Sequence, residues 1–192
     1  MAGGRGSRLQ MGEKGLVRLC DRPLIDYVIT ALEDAGVEQV VVTTPSTPYT
    51  ANYCRVRGID QVCTEGKGYV EDIIEAVNIL NEIGPILIVC ADIPGLTSDH
   101  VNYILSGYKT GGKPACSVWI PAHLFEKQGC ITQFTQETSG IQAAPAGINI
   151  LLGESIEQEQ EEHCILIEDP ALTYNVNTRS ELKAAEEFFS HL

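Results

Sequence analysis

Basic residues are scarce in this chain. Its 192 residues carry 13 Lys and Arg against 26 Asp and Glu, a formal net charge of −13. That balance excludes a nucleic acid or an anionic membrane as the main partner, because both call for a cationic surface. Metal-ligand spacing is missing as well. The four histidines and seven cysteines include no C-x-x-C pair and no ligand-spaced histidine set, so neither a zinc centre nor a Cys–His couple is suggested. Scattered, odd-numbered thiols in apolar company read instead as buried, reduced cysteines of a cytoplasmic protein. The longest apolar run, Pro85 to Ala91, is far too short to cross a bilayer, and no cleaved signal precedes it. There is no G-x-x-x-x-G-K-[ST] loop, which disfavours a P-loop kinase. With no internal repeat or low-complexity linker, residues 1–192 are expected to form one domain, burying roughly 70% of the unfolded surface.

What the chain does have stands at its start, MAGGRGSRLQMGEK. Gly3, Gly4 and Gly6 alternate with Arg5 and Arg8, and Lys14 follows. Backbone N–H groups approach oxyanions closely only where no Cβ intervenes, and nearby cations then neutralise the charge. The stretch therefore reads as a cradle for a polyphosphate, with Gly3, Gly4, Arg5 and Gly6 around the phosphates. Residues 1–22 hold five basic and two acidic side chains, a positive island on an acidic protein that suits a small anionic ligand. A loop of this kind normally follows a buried strand, yet only Met1 and Ala2 precede the glycines, so the first strand is apparently missing.

Beyond the loop the chain alternates. Helical periodicity from Pro23 to Gly36 leads into a β-branched run at Val40–Val42. A helix-like piece from Ala51 to Arg57 leads into Ile59–Cys63. Helical spacing returns at Val70, Ile73, Ile74, Val77 and Leu80. Ile86–Ala91 has no polar interruption, as expected of a central parallel strand, and Thr97 or Ser98 caps the next helix. Cys116–Ile120 and Gly147–Leu152 read as strands, Pro121–Ser139 as an irregular mobile insertion, and the acidic run 154–163 as a solvated helix face or loop. Thr178-x-x-Glu181 is a capping box opening the last helix. The rhythm predicts an α/β domain with a mostly parallel sheet flanked by helices.

Candidate site residues follow from position. Asp92 ends the most apolar strand, at the carboxyl edge where open α/β sheets bind ligands, and can hold Mg²⁺ against phosphates. Thr64, Gly66, Gly68 and Asp72 lie on a strand-to-helix loop placed to meet a base, with Thr44 and Thr47 as weaker candidates; Glu71 suits the first turn of a helix. Asn177, in competition with Asn175, offers a further oxygen ligand or a turn. Tyr69 and Trp119 can stack on a ring or fill a core.

The opening GGRGSR, with Lys14 and then RPLIDYV, resembles the signature of nucleotidylyltransferases. EGKGYVED (65–72), PAGINI (145–150) and YNVNTRSELKAAE (174–186) resemble more particularly the archaeal-type GTP:adenosylcobinamide-phosphate guanylyltransferases of cobalamin assembly. One departure is Gly15, where the superfamily usually has proline after the lysine. The resemblance implies a Rossmann-like nucleotidyltransferase fold and transfer of GMP from GTP to adenosylcobinamide phosphate, with release of pyrophosphate. It implies Mg²⁺ as cofactor, held by Asp92 with Asn177 as second ligand. Arg8 and Lys14 would stabilise the charge that develops on the triphosphate, and Gly147 would permit close approach of nucleotide or acceptor. It leaves a homodimer open. Two rival readings are a nucleotidylyltransferase for a molybdenum-cofactor or sugar-phosphate acceptor, and a nucleotide-binding module without turnover.

Overall fold

The computed structural model describes residues 1–190 except 5, 7, 8, 131 and 133. After the glycine-rich segment, a single 3₁₀ turn (Lys14–Leu16) leads into a small antiparallel ribbon, β1 (Arg18–Leu19) and β2 (Arg22–Pro23). Cys20 and Asp21 turn the ribbon with φ of 48° and 62°. Helix α1 (Leu24–Asp34) buries Leu24, Ile25, Val28, Ile29 and Ala31, the i, i+4, i+7 face visible in its sequence.

Two parallel strands, β3 (Val41–Thr43) and β4 (Gln61–Cys63), flank α2 (Pro48–Arg57). α3 (Tyr69–Leu80) then returns the chain to β5 (Pro85–Val89). α4 (Ser98–Gly111) has a capping box from Thr97 and leads to β6 (Ala115–Pro121), buried along its whole length. α5 (Ala122–Lys127), β7 (Gln136–Thr138), β8 (Ile141–Leu152), β9 (Glu162–Leu166) and α6 (Arg179–Phe189) complete the order.

The main sheet runs β5-β8-β6-β9, with β7 also on β8. β6 and β9 are parallel, while the 12-residue β8 runs against both β5 and β6. The β3–β4 pair forms a separate ladder. Backbone at the chain start bridges the two. Met1 donates to Val89 O (2.6 Å) and accepts from Ala91 N (3.0 Å), the pattern of a parallel bridge, and Ala2 donates to Val42 O (2.8 Å). The glycines therefore emerge at the carboxyl edge, beside the ends of β3 and β5.

Two expectations change here. Pro121–Ser139 is not one irregular insertion: it contains α5, anchored by buried Phe125, and β7, which pairs with β8 across Ser139 and Gly140. Their φ values of 52° and 79° are those of a tight two-residue hairpin turn. β8 also begins six residues before Gly147. Pro145 falls within this longer strand, beside a register shift between Ser117 and Trp119 of β6, where a strand tolerates proline. The acidic run 154–163 is a 3₁₀ turn and loop, one of the two forms expected of it, and its last two residues open β9.

Candidate active site

At this carboxyl edge the chain encloses a cavity of about 320 Å³, with Gly3, Gly4, Lys14, Thr44, Gly66, Gly68, Tyr69, Asp72 and Asp92 among its lining residues. Lys14 is its electrostatic focus. The ammonium pairs with Asp92 Oδ2 and donates to Asn177 Oδ1 (2.6 Å) and Asn175 Oδ1 (3.3 Å). Three elements converge to make this cluster. Asp92 follows β5 just past the sheet edge. The 175–177 segment is drawn against it by the Val176 N–H, which donates to Asp92 O (3.3 Å). Asn177 is itself held by α6, its N–H donating to Glu181 Oε2 (2.8 Å).

Asp92 is 8% exposed, and its Oδ1 is a buried acceptor with no partner among the described residues. An unsatisfied buried carboxylate oxygen is costly unless a cation meets it. With the carbonyl oxygens of Asn175 and Asn177 at hand, the donor set is all oxygen, which suits Mg²⁺ rather than a soft metal. The residues therefore fit the cofactor expected from the sequence, even though no group of three or more His, Cys, Asp or Glu occurs among the described residues.

The glycines divide by role. A Cβ on Gly3 would come within 2.5 Å of Thr44 Cγ2, whose Oγ1 donates to Gly3 O (3.1 Å), whereas one on Gly4 would meet nothing within 4 Å. Packing thus dictates glycine at position 3, whereas at Gly4, on the cavity wall, it imposes no such demand. Gly6, at φ 59°, turns the loop and accepts from Leu9 N and Gln10 N (3.0 and 3.2 Å), outside the cavity lining. Arg5 and Arg8 lie outside the described residues.

On the opposite wall Gly66 takes φ 77°, and its N–H donates to Asp72 Oδ1 (2.9 Å). Asp72, buried in the first turn of α3, therefore holds the loop as well as facing the cavity. Gly68 leaves the room that the Glu71 carboxylate occupies. Thr64, expected to meet the base, and Gly147, expected to admit nucleotide or acceptor, are not on the cavity wall. Thr64 is turned into the β3–β4 ladder, its Oγ1 donating to Thr43 O (3.2 Å). Gly147, at φ 73°, sits on β8 beneath Cys90, where a Cβ would come within 3.2 Å of Sγ. It serves close strand packing, one layer below the cavity.

Tyr69 does line the cavity. The residue is 45% exposed, while its hydroxyl lies 3.8 Å from Cys90 Sγ. Burial, then the neighbouring Cys90, push that hydroxyl's pKa well up, so it stays a proton donor. Burial likewise raises the Cys90 thiol, with Asp92 adding to the effect, which leaves it a poor nucleophile. Trp119 fills the core instead, 6% exposed with its indole N–H on Ser117 Oγ (2.8 Å).

Three contributors were not found by sequence reasoning. Glu13 accepts from Tyr49 N and Thr50 N (2.8 and 2.6 Å), tying the glycine-rich segment to α2. Ser46 lines the cavity next to Thr44. Gly95 lets the loop after Asp92 lie directly on Ala171, whose Cβ would stand 2.9 Å from a Cβ there. An I-P-G sequence after an apolar strand is the one local signal for the last of these. No helix among the described residues is long and apolar enough to cross a membrane.

Comparison with known proteins gives the family and the fold. Residues 1–186 match the model of the MobA-like NTP transferase domain. The chain is 34% identical over 197 aligned positions to the adenosylcobinamide-phosphate guanylyltransferase of Methanocaldococcus jannaschii, covering 97% of this chain and 93% of that protein. Among solved structures, a hypothetical transferase from Thermus thermophilus superposes with a TM-score of 0.71 at 15% identity, over 95% of this chain and 96% of the other. The molybdopterin-guanine dinucleotide biosynthesis protein A of Archaeoglobus fulgidus gives 0.67 at 16% identity, over 100% and 97%. At those identities the two structures speak for the Rossmann-like nucleotidyltransferase fold alone.

Proposed function

The chain belongs to the MobA-like NTP transferase family, and from that premise we propose that it transfers GMP from GTP to adenosylcobinamide phosphate. The products are adenosylcobinamide-GDP and pyrophosphate, and residues 1–192 act as one nucleotidylyltransferase domain. The observation that carries the reading is the meeting of Lys14 with Asp92, Asn175 and Asn177 on a glycine-walled cavity. The choice of acceptor is supported by the relative from M. jannaschii, which aligns over 97% of this chain and 93% of its own length.

On this reading Gly3 and Gly4 offer backbone to the phosphates, with Arg5 and Arg8 supplying charge. Lys14 reaches the bridging region of the triphosphate and stabilises the negative charge that grows as pyrophosphate leaves. Asp92 and Asn177 hold Mg²⁺, which supplies Lewis-acid neutralisation of the phosphate oxygens. The protein's remaining task is alignment: the acceptor phosphate attacks the α-phosphorus in line, and no protein nucleophile is needed. Gly66, Gly68, Asp72 and Thr44 face the guanine, whose N1–H and N2–H₂ donate and whose O6 accepts. The seven unpaired thiols suit a reducing cytoplasm.

The test is GTP against ATP, CTP and UTP with adenosylcobinamide phosphate, reading pyrophosphate release and the mass of the product. GTP should be preferred and no labelled GMP should remain on the protein. Equal turnover with a molybdenum-cofactor or sugar-phosphate acceptor, or a trapped guanylylated chain, would overturn this assignment.

A further inference from the structure

We propose that Glu13 is a positioning residue that aims Lys14 by bracing the two walls of the cavity against each other, an inference that rests on the guanylyltransferase reading. α2 cannot cap itself. Thr47, at its N-cap, spends its hydroxyl on the preceding turn, accepting from Thr44 N (3.0 Å) and donating to Thr44 O (3.2 Å). Pro48 has no N–H, so Tyr49 and Thr50 offer the first donors of the helix. Both are taken by the Glu13 carboxylate from 36 and 37 residues away, at 2.8 and 2.6 Å.

Charge-assisted bonds from two backbone N–H groups at a helix N-terminus fix a carboxylate firmly. The same residue also begins the 3₁₀ turn that carries Lys14, its carbonyl accepting from Leu16 N (3.0 Å). Glu13 is therefore pinned by both its backbone and its side chain, one residue before the ammonium that meets Asp92. Just before α2, Thr44 and Ser46 line the cavity. The carboxylate thus ties the lysine wall to the threonine wall at the lysine's own end of the segment, as Thr44 Oγ1 on Gly3 O does at the other.

The experiment compares pyrophosphate release by the full-length chain with Glu13→Ala, Glu13→Gln, Lys14→Met and the Glu13→Ala/Lys14→Met double variant. Glu13→Ala should lower kcat about tenfold or more while shifting KM for GTP less than about threefold, since a misaimed Lys14 fails chiefly in the transition state. Glu13→Gln, whose amide oxygen still accepts one of the two N–H groups, should keep about a third of wild-type kcat. In the Lys14→Met background Glu13→Ala should cost less than about twofold further, because the residue it aims is gone. A lower melting temperature with unchanged kcat, or losses that multiply in the double variant, would reduce Glu13 to an ordinary helix cap. If Glu13→Ala does not fold, Glu13→Asp, one methylene short of the helix, takes its place, and an unchanged kcat there overturns the inference. A wild-type chain that releases no pyrophosphate sinks the guanylyltransferase reading and this inference with it; an active wild type with an indifferent Glu13→Ala sinks the inference alone.

Discussion

On one side of the cavity Lys14 meets Asp92, Asn175 and Asn177 through side-chain head groups, whereas on the other Gly66 and Gly68 present backbone, with the Gly66 N–H held by the buried carboxylate of Asp72. Each wall answers a different demand. Charge that appears only as a bond breaks has to be met by a fully charged group held in advance at one point. A planar base present from the start is met by preset N–H and C=O groups. Substitutions on the first wall should therefore fall on kcat, and those on the second on KM.

The largest effect is expected at Lys14. Lys14→Met should reduce kcat about 10²- to 10³-fold, the usual cost of removing one charge-stabilising donor, with a smaller change in KM for GTP. Lys14→Arg should not restore it, because a planar guanidinium cannot direct its donors at three converging oxygens as an ammonium does. Steady-state kinetics at saturating Mg²⁺ read both. An intact kcat in Lys14→Met would erase the distinction between the walls.

A middle-sized effect is expected at Asp72. Asp72→Ala leaves the Gly66 N–H without its acceptor, a loss of about 1 to 3 kcal/mol, and should raise KM for GTP about tenfold with kcat nearly kept. Asp72→Asn should behave like wild type in this respect, since an amide oxygen still accepts from Gly66 N. Calorimetry of GTP binding separates the two variants. A kcat defect in Asp72→Ala would show that both walls act on the same step.

The lysine wall was the more legible of the two in the sequence. Lys14, Gly4 and Asp92 depend on short-range chemistry: a glycine-rich segment followed by a cation, and a carboxylate just past an all-apolar strand. The base wall was read less completely, because Thr64 looks identical in sequence whether its hydroxyl faces a ligand or, as here, Thr43 O of the neighbouring strand. Gly147 was singled out for close approach, and close approach is what it provides, but to Cys90 rather than to the cavity. The β7–β8 hairpin hid behind polar residues and Pro145, since an edge strand needs no apolar pattern. Glu13 was illegible for a different reason. Its partners, Tyr49 and Thr50, offer backbone N–H groups, which every residue but proline has, so nothing in the side-chain sequence announces the pairing.

The smallest effect tests how firmly the lysine wall is held. Gly15, where the resemblance leads one to expect proline, is buried between α1 and α2 but takes no positive φ. A Cβ there, on a residue that also borders the cavity, would lie 3.7 Å from Ile25 Cβ and 3.8 Å from Thr50 Cγ2, ordinary contact distances. Gly15→Ala should therefore stabilise the chain by about 0.4 to 1 kcal/mol, chiefly by restricting the unfolded state. For a chain of this length that is a rise in melting temperature of about 1 to 4 °C, with turnover unchanged. A fall in melting temperature would mean that Thr50 and the loop have no room to spare, and hence that the loop sits closer to α2 than the Glu13 bonds require. A rise in Tm with a loss of kcat would mean that the lysine wall must flex to work, and the contrast between a side-chain wall and a preset backbone wall would then become one between a moving part and a fixed one.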